Sequence, residues 1–212
     1  MLRLQYFIVI MLAFFGCNSA KNKMETNRTI TDIFDKSEIK DLEIIVNFFN
    51  EQIGALNGNE NASIEKRYQD YFKYIKDQEI PGTFYLNISY QEQQKMYSQI
   101  SKTTFEEIWS FSEYTRFLQK DSIEFGVSIK YNFNGKYVTF LEAFGKDNKD
   151  IYLYLDNTKR VGDISPSAVA TVVLNYNLFN VKDIRIQLFI AIHYLTLNDQ
   201  NERRDIIKTI PR

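Results

Sequence analysis

Residues 181–199, VKDIRIQLFIAIHYLTLND, constrain the fold more than any other stretch. Wound as a helix at roughly 100° per residue, their apolar side chains point in nearly every direction. Arg185 and Gln187 are the main exceptions. A helix that is apolar all round needs neighbours on every side. The chain is therefore expected to be mainly α, a single helical domain around this central helix of its C-terminal half. The other segments must then supply amphipathic helices, each with one apolar stripe.

Several do. Asp35-Lys36-Ser37-Glu38 has the form of a capping box, with Asp35 as N-cap and Glu38 three residues on. Ile39, Leu42, Ile45, Val46, Phe49 and Ile53 follow at helical spacing. A second helix is expected near Ser63 to Lys76, with Ile64, Tyr68, Tyr71, Phe72 and Ile75 on one side. Pro81-Gly82 marks a turn. Ser89-Tyr90-Gln91-Glu92 repeats the capping pattern before Met96, Tyr97 and Ile100. Thr104-Phe105-Glu106-Glu107 repeats it again, opening a short helix expected to include Ile108, Trp109 and Phe111. Ser165-Pro166 pairs an N-cap with a proline at the first helical position.

The middle of the chain changes period. Ile123, Phe125, Val127, Ile129, Tyr131 and Phe133 alternate with polar or small residues, which is the pattern of a strand. Asn134-Gly135 suits a two-residue hairpin turn, yet Tyr137, Phe140, Leu141 and Phe144 fit a helix. An extended segment at 122–133 and a helix after Gly135 are expected, with a β-hairpin as the alternative. The mainly α domain thus leaves room for a small β element near 122–144.

The N-terminus speaks to location. Arg3 precedes LQYFIVIMLAFF, twelve residues that as a helix span only about 18 Å, too short for a bilayer core of about 30 Å. This is the charge order and length of a secretory signal. The run ends at Phe14-Phe15-Gly16-Cys17, which resembles a bacterial lipobox. Gly16 and Cys17 fit that motif; Phe14 and Phe15 depart from it. The resemblance implies that residues 1–16 are a signal peptide and that Cys17, the only cysteine, carries lipid. With no second cysteine, no intramolecular disulfide can form. Polar, aperiodic residues to 33 read as a lipid-anchored tether, and 34–212 as the domain. Residues 18–23, NSAKNK, hold two lysines and no acidic residue, unlike the acidic export signals of some surface lipoproteins. The expected place is the outer membrane, facing the periplasm. GDISPS and AIHYLTLND are also similar to stretches of small uncharacterised Gram-negative bacterial lipoproteins, a resemblance that brings no activity with it.

Losing residues 1–16 removes only Arg3 from 26 basic and 27 acidic residues. The weakly acidic remainder argues against nucleic acid as a partner. A search for chemistry is mostly negative. His193 reads as a core histidine with its nitrogens hydrogen-bonded. One histidine and a lipidated cysteine cannot build a usual zinc site. KDNKD at 146–150 lacks the spacing of a calcium loop. No phosphate-binding loop or nucleophile elbow occurs. No catalytic residue, metal or cofactor is therefore assigned. Glu106, Glu107, Glu124 and Glu142 are among the carboxylates that could form a hydrolase pair, and the sequence does not rank them.

One helix carries more apolar surface than its stripe needs. Ile44 and Phe48 lie four apart, nearly opposite the main face of residues 36–53. They read either as packing against a second layer or as an exposed pair that engages a partner. The expectation is a membrane-anchored lipoprotein acting as a binding or interaction module of the cell envelope. It would hold the membrane through Cys17 and a protein partner through Ile44 and Phe48. A carboxylate-dependent envelope hydrolase and an immunity-type inhibitor are the alternatives.

Overall fold

The structure, a computed structural model, describes residues 24–56, 58, 60–78, 86–118, 122–203 and 206–211. The signal segment 1–16, Cys17 and the Pro81-Gly82 turn lie outside them. The chain runs α1 (Arg28–Thr31), α2 (Lys36–Ala55), α3 (Ile64–Lys76), α4 (Tyr90–Gln99), α5 (Lys102–Ile108), β1 (Trp109–Leu118), β2 (Ser122–Tyr131), α6 (Lys136–Gly145), α7 (Lys149–Val161), α8 (Pro166–Leu174), a 3-10 turn (Tyr176–Leu178), α9 (Ile184–Glu202) and β3 (Ile206–Pro211). It is a mainly α fold with one small antiparallel sheet.

The helix starts are where local chemistry sets them. Asp35 accepts from the backbone N–H groups of Ser37 (2.7 Å) and Glu38 (3.0 Å), while Glu38 accepts from the Asp35 N–H at 2.8 Å, so α2 has a complete capping box. Glu38 is buried and also takes the Lys136 ammonium at 2.6 Å, which ties α2 to α6. Ser63, Ser89 and Ser165 cap α3, α4 and α8. The start of α5 differs from the expected one. Ser101, not Thr104, is its N-cap, and the Thr104 hydroxyl instead donates to Asp41 at 2.7 Å. The helix consequently ends at Ile108, and Trp109 and Phe111 belong to a strand.

Residues 24–33, expected to be part of a tether, are packed against the body. Met24 and Ile30 are fully buried, Phe34 nearly so, and the Phe34 ring lies 6.4 Å from that of Phe140 on α6. Residues 24–33 therefore belong to the folded body. The helix here is only four residues long, so its few apolar anchors cannot set up a visible period.

α9 is buried all round, as its sequence requires. It packs against α2, α4 and β2. Phe189 meets Tyr154 of α7 and Phe179, and Tyr194 meets Phe49 of α2 and Tyr71 and Phe72 of α3. Five of its polar side chains bind different neighbours. Gln187 accepts from Asn50 of α2 (3.1 Å) and donates to the Val181 carbonyl (2.8 Å). His193 meets the Tyr154 hydroxyl of α7. Thr196 accepts from the Trp109 indole of β1 (2.8 Å), and Asn198 donates to Gln93 of α4 (2.7 Å). Gln200 donates to the Ile129 carbonyl of β2 (2.9 Å) and to Asp163 (3.0 Å). Burying a polar group is favourable only when it is bonded, so these pairs fix how each neighbour docks.

The sheet has the order β1-β2-β3, all antiparallel, with Trp109 opposite Tyr131 and Leu118 opposite Ser122. β3 pairs only with the part of β2 nearest Ser122, across a bulge at Phe125/Gly126. Tyr114 lies across Gly126, where a Cβ would come within 2.4 Å of its ring. Asn132 to Gly135 is no hairpin turn. It brackets α5 against α6: Asn132 donates to the Glu106 carbonyl (2.7 Å), Glu107 accepts from the Lys136 N–H (2.7 Å), and a Cβ on Gly135 would strike the Glu107 carbonyl.

Candidate functional site

A groove of about 530 Å³ opens where α5 runs into β1. Phe105, Trp109 and Phe111 line it, with Lys102, Glu106, Ser110 and Asn132 around the rim. The Asn132 bracket and the Trp109–Thr196 bond hold its floor against the body. Trp109 is buried, while Phe111 is half exposed (50%) although it follows only two residues later on the same face of β1. The Phe105 ring lies 5.2 Å from Trp109 and 5.8 Å from Phe111, nearly parallel to the latter. Behind Phe111 the Arg203 guanidinium sits 4.8 Å from the ring centre.

Arg203 is itself fixed. Its Nε and Nη2 donate to the two carboxylate oxygens of fully buried Asp199 at 2.6 and 2.9 Å. Tyr97 packs edge-on against Phe105 and Trp109. Burial raises its phenol well above the ordinary value, so it stays neutral. The rim pair Lys102–Glu106 is long, 3.5 Å, and solvent-exposed, so it contributes little to stability. Among the described residues, β1 pairs with β2 alone, and no strand lies along its other edge. The arrangement offers aromatic surface next to the outer edge of β1.

Ile44 and Phe48, the pair expected to engage a partner, do not line this groove. They are partly buried against the core and line a shallow groove with Glu92, Lys95 and Met96 of α4. Cys17 lies outside the described residues. His193 is completely buried; its Nδ1 is 2.8 Å from the Tyr154 hydroxyl, which in turn is 2.9 Å from that of Tyr131. Only one ring nitrogen is bonded, since Nε2 has no partner among the described residues. Burial lowers its pKa to about 3, so it is neutral at physiological pH.

The four carboxylates are engaged separately. Glu106 faces Lys102, Glu107 accepts from the Lys136 N–H, Glu124 accepts from the Tyr114 hydroxyl at 3.1 Å, and Glu142 pairs with Lys159. The KDNKD segment is a helix connection: Asn148 caps α7 and Asp147 pairs with Arg185 at 3.0 Å. No group of three or more potential metal ligands occurs among the described residues, and no helix among them is long and apolar enough to cross a membrane.

The groove was missed because Trp109 and Phe111 read as the tail of a helix. A signal was present, since Trp109, Phe111 and Phe117 alternate with Ser110, Ser112 and Arg116, but Glu113 and Thr115 interrupt the apolar series. Compared with protein-family models, curated proteins and solved structures, the chain matches none.

Proposed function

We propose that this protein is a lipid-anchored binding module of the bacterial envelope. It is held to the outer membrane through Cys17, faces the periplasm, and engages a protein partner at the groove between α5 and β1. The observation that carries this reading is the half-exposed Phe111 beside Phe105 at the outer edge of β1. Aromatic side chains in a shallow pocket are typical interface anchors. A sheet edge can accept an extended segment by main-chain hydrogen bonds, with a neighbouring pocket reading one of its side chains. The separate engagement of the carboxylates favours binding over hydrolysis.

The anchor bears on geometry. From Cys17 to buried Met24 the chain reaches at most about 25 Å, so the body stays close to the bilayer. Cys17→Ala should abolish incorporation of labelled palmitate, and protease added to intact cells should spare the wild-type chain. The binding surface is tested by a photo-crosslinking residue at Phe111, with the same residue at exposed Gln69 of α3 as control. A specific protein adduct at Phe111 alone is expected; equal labelling at both positions, or none at Phe111, would remove the groove from the account.

A further inference from the structure

A second cavity, of about 400 Å³, lies at the opposite end of α4, between the end of α2, residues 86–90 and the last turns of α9. Two of its polar side chains, Asn198 and Gln52, are oriented by hydrogen bonds. Gln93 is fully buried, and its Nε2 donates to the Leu195 carbonyl (2.8 Å) and to the Tyr97 hydroxyl (2.6 Å). A backbone carbonyl can only accept, which fixes the Gln93 amide with Oε1 turned the other way. That oxygen takes the Asn198 Nδ2 at 2.7 Å. Asn198, only 4% exposed, has thus committed its nitrogen inward and offers the cavity its carbonyl oxygen. On the facing wall, Gln52 Oε1 accepts from the Ser89 N–H at 3.1 Å. This leaves Gln52 Nε2 as a donor.

One oriented acceptor and one oriented donor thus line the same cavity, against an apolar wall that includes Leu56 and Ile88. A secondary amide is the complementary ligand, its N–H meeting Asn198 and its C=O meeting Gln52. Among the described residues, Glu202 is the only charged one in the lining, which disfavours anionic ligands. We propose that this cavity is a binding site for a neutral ligand presenting a secondary amide, either an N-acetylated sugar or a peptide. The site is independent of the β1 groove.

The test titrates the full chain, in detergent, with two probes, N,N′-diacetylchitobiose and N-acetylalanine methylamide. Gln52→Glu is the decisive variant. It keeps an acceptor for the Ser89 N–H and replaces the donor with a carboxylate oxygen. Saturable binding of at least one probe is expected, weakened at least about tenfold in Gln52→Glu at an unchanged melting temperature. Asn198→Ser should weaken it similarly; if that variant fails to fold, Gln52→Glu decides alone. Binding of chitobiose only identifies a sugar ligand, and binding of the peptide probe only identifies a peptide. Saturation by neither probe, or wild-type affinity in Gln52→Glu, overturns the proposal.

Discussion

α9 and the β1–β2 hairpin handle polar residues in opposite ways. α9 is enclosed on every side over most of its length, and Gln187, His193, Thr196, Asn198 and Gln200 each bond a named neighbour. The hairpin alternates. Ser110, Ser112 and Lys130 lie on one face, while Trp109, Phe111, Val127 and Ile129 lie on the other. Helices cover that second face only at its base, where Trp109, Ile129 and Tyr131 are buried; Phe111 and Val127 are not. Enclosure makes α9 a determinant of fold. Partial cover at the hairpin leaves aromatic surface that the free protein does not use.

The contrast is easiest to break on the α9 side. Arg203→Met would leave the Asp199 carboxylate buried without its fork of donors, keeping only Gln94 at 3.4 Å. Stranding a buried charge typically costs about 3–5 kcal/mol. Urea unfolding should show a loss of that size. A loss under about 1 kcal/mol would mean that this ion pair does not anchor the end of α9.

Acid should act on the same helix. His193 has a folded pKa of about 3 against an unfolded value of about 6.5. As pH falls below the unfolded value, the unfolded chain binds the proton first. Its contribution is therefore intact above about pH 6.5 and is lost progressively towards pH 3, at up to ~1.4 kcal/mol per pH unit. Between pH 6 and pH 4 the loss from this residue should be about 2–3 kcal/mol. Carboxylates titrate in the same window, so the measurement is the difference in slope between wild type and His193→Gln. Equal slopes would show that the imidazole is not held neutral.

How far this was legible follows from the same physics. α9, the Asp35 capping box, the caps at Ser89 and Ser165, the helix beginning near Ser63, and the extended segment expected at 122–133, which ends at Tyr131, each rest on a local pattern that tertiary structure did not override. The 24–33 segment was not legible, because two buried side chains among polar neighbours make no period. Nor was β1, where Glu113 and Thr115 interrupt the alternation and a Thr-x-x-Glu match pointed to a helix. Asn198 and Gln52 gave no signal at all. Their roles depend on amide orientations set by Gln93 of α4 and by the Ser89 backbone, each distant in sequence.

The groove between α2 and α4 sharpens the comparison, because it was the surface first expected to bind. Ile44 and Phe48 are neither sealed nor free. Phe48 rests partly on the core, with Met96 of α4 lining the same groove. Half burial of an aromatic side chain places the cost of Phe48→Ser at about 1–2 kcal/mol. That lies between the values for a surface site and a core site, and a thermal melt resolves it. If Phe48→Ser instead proved neutral while diminishing the Phe111 adduct, both grooves would belong to one interface.

The smallest effect on stability, and the largest on binding, is expected at Phe111. The side chain is half in solvent, and Arg203 and Phe105 flank it without enclosing it. Phe111→Ser removes little buried surface, and serine suits a strand position beside Ser110 and Ser112. Stability should change by under about 1 kcal/mol. An aromatic anchor at an interface commonly carries 2 kcal/mol or more, which corresponds to at least about a thirtyfold loss of affinity. With the crosslinking residue moved to exposed Glu113, two positions along β1, Phe111→Ser should therefore deplete the adduct strongly at an unchanged melting temperature. A variant that melts like wild type and still yields the full adduct would show that the exposed ring is incidental. The outer edge of β1 would then have to supply the affinity through its backbone alone.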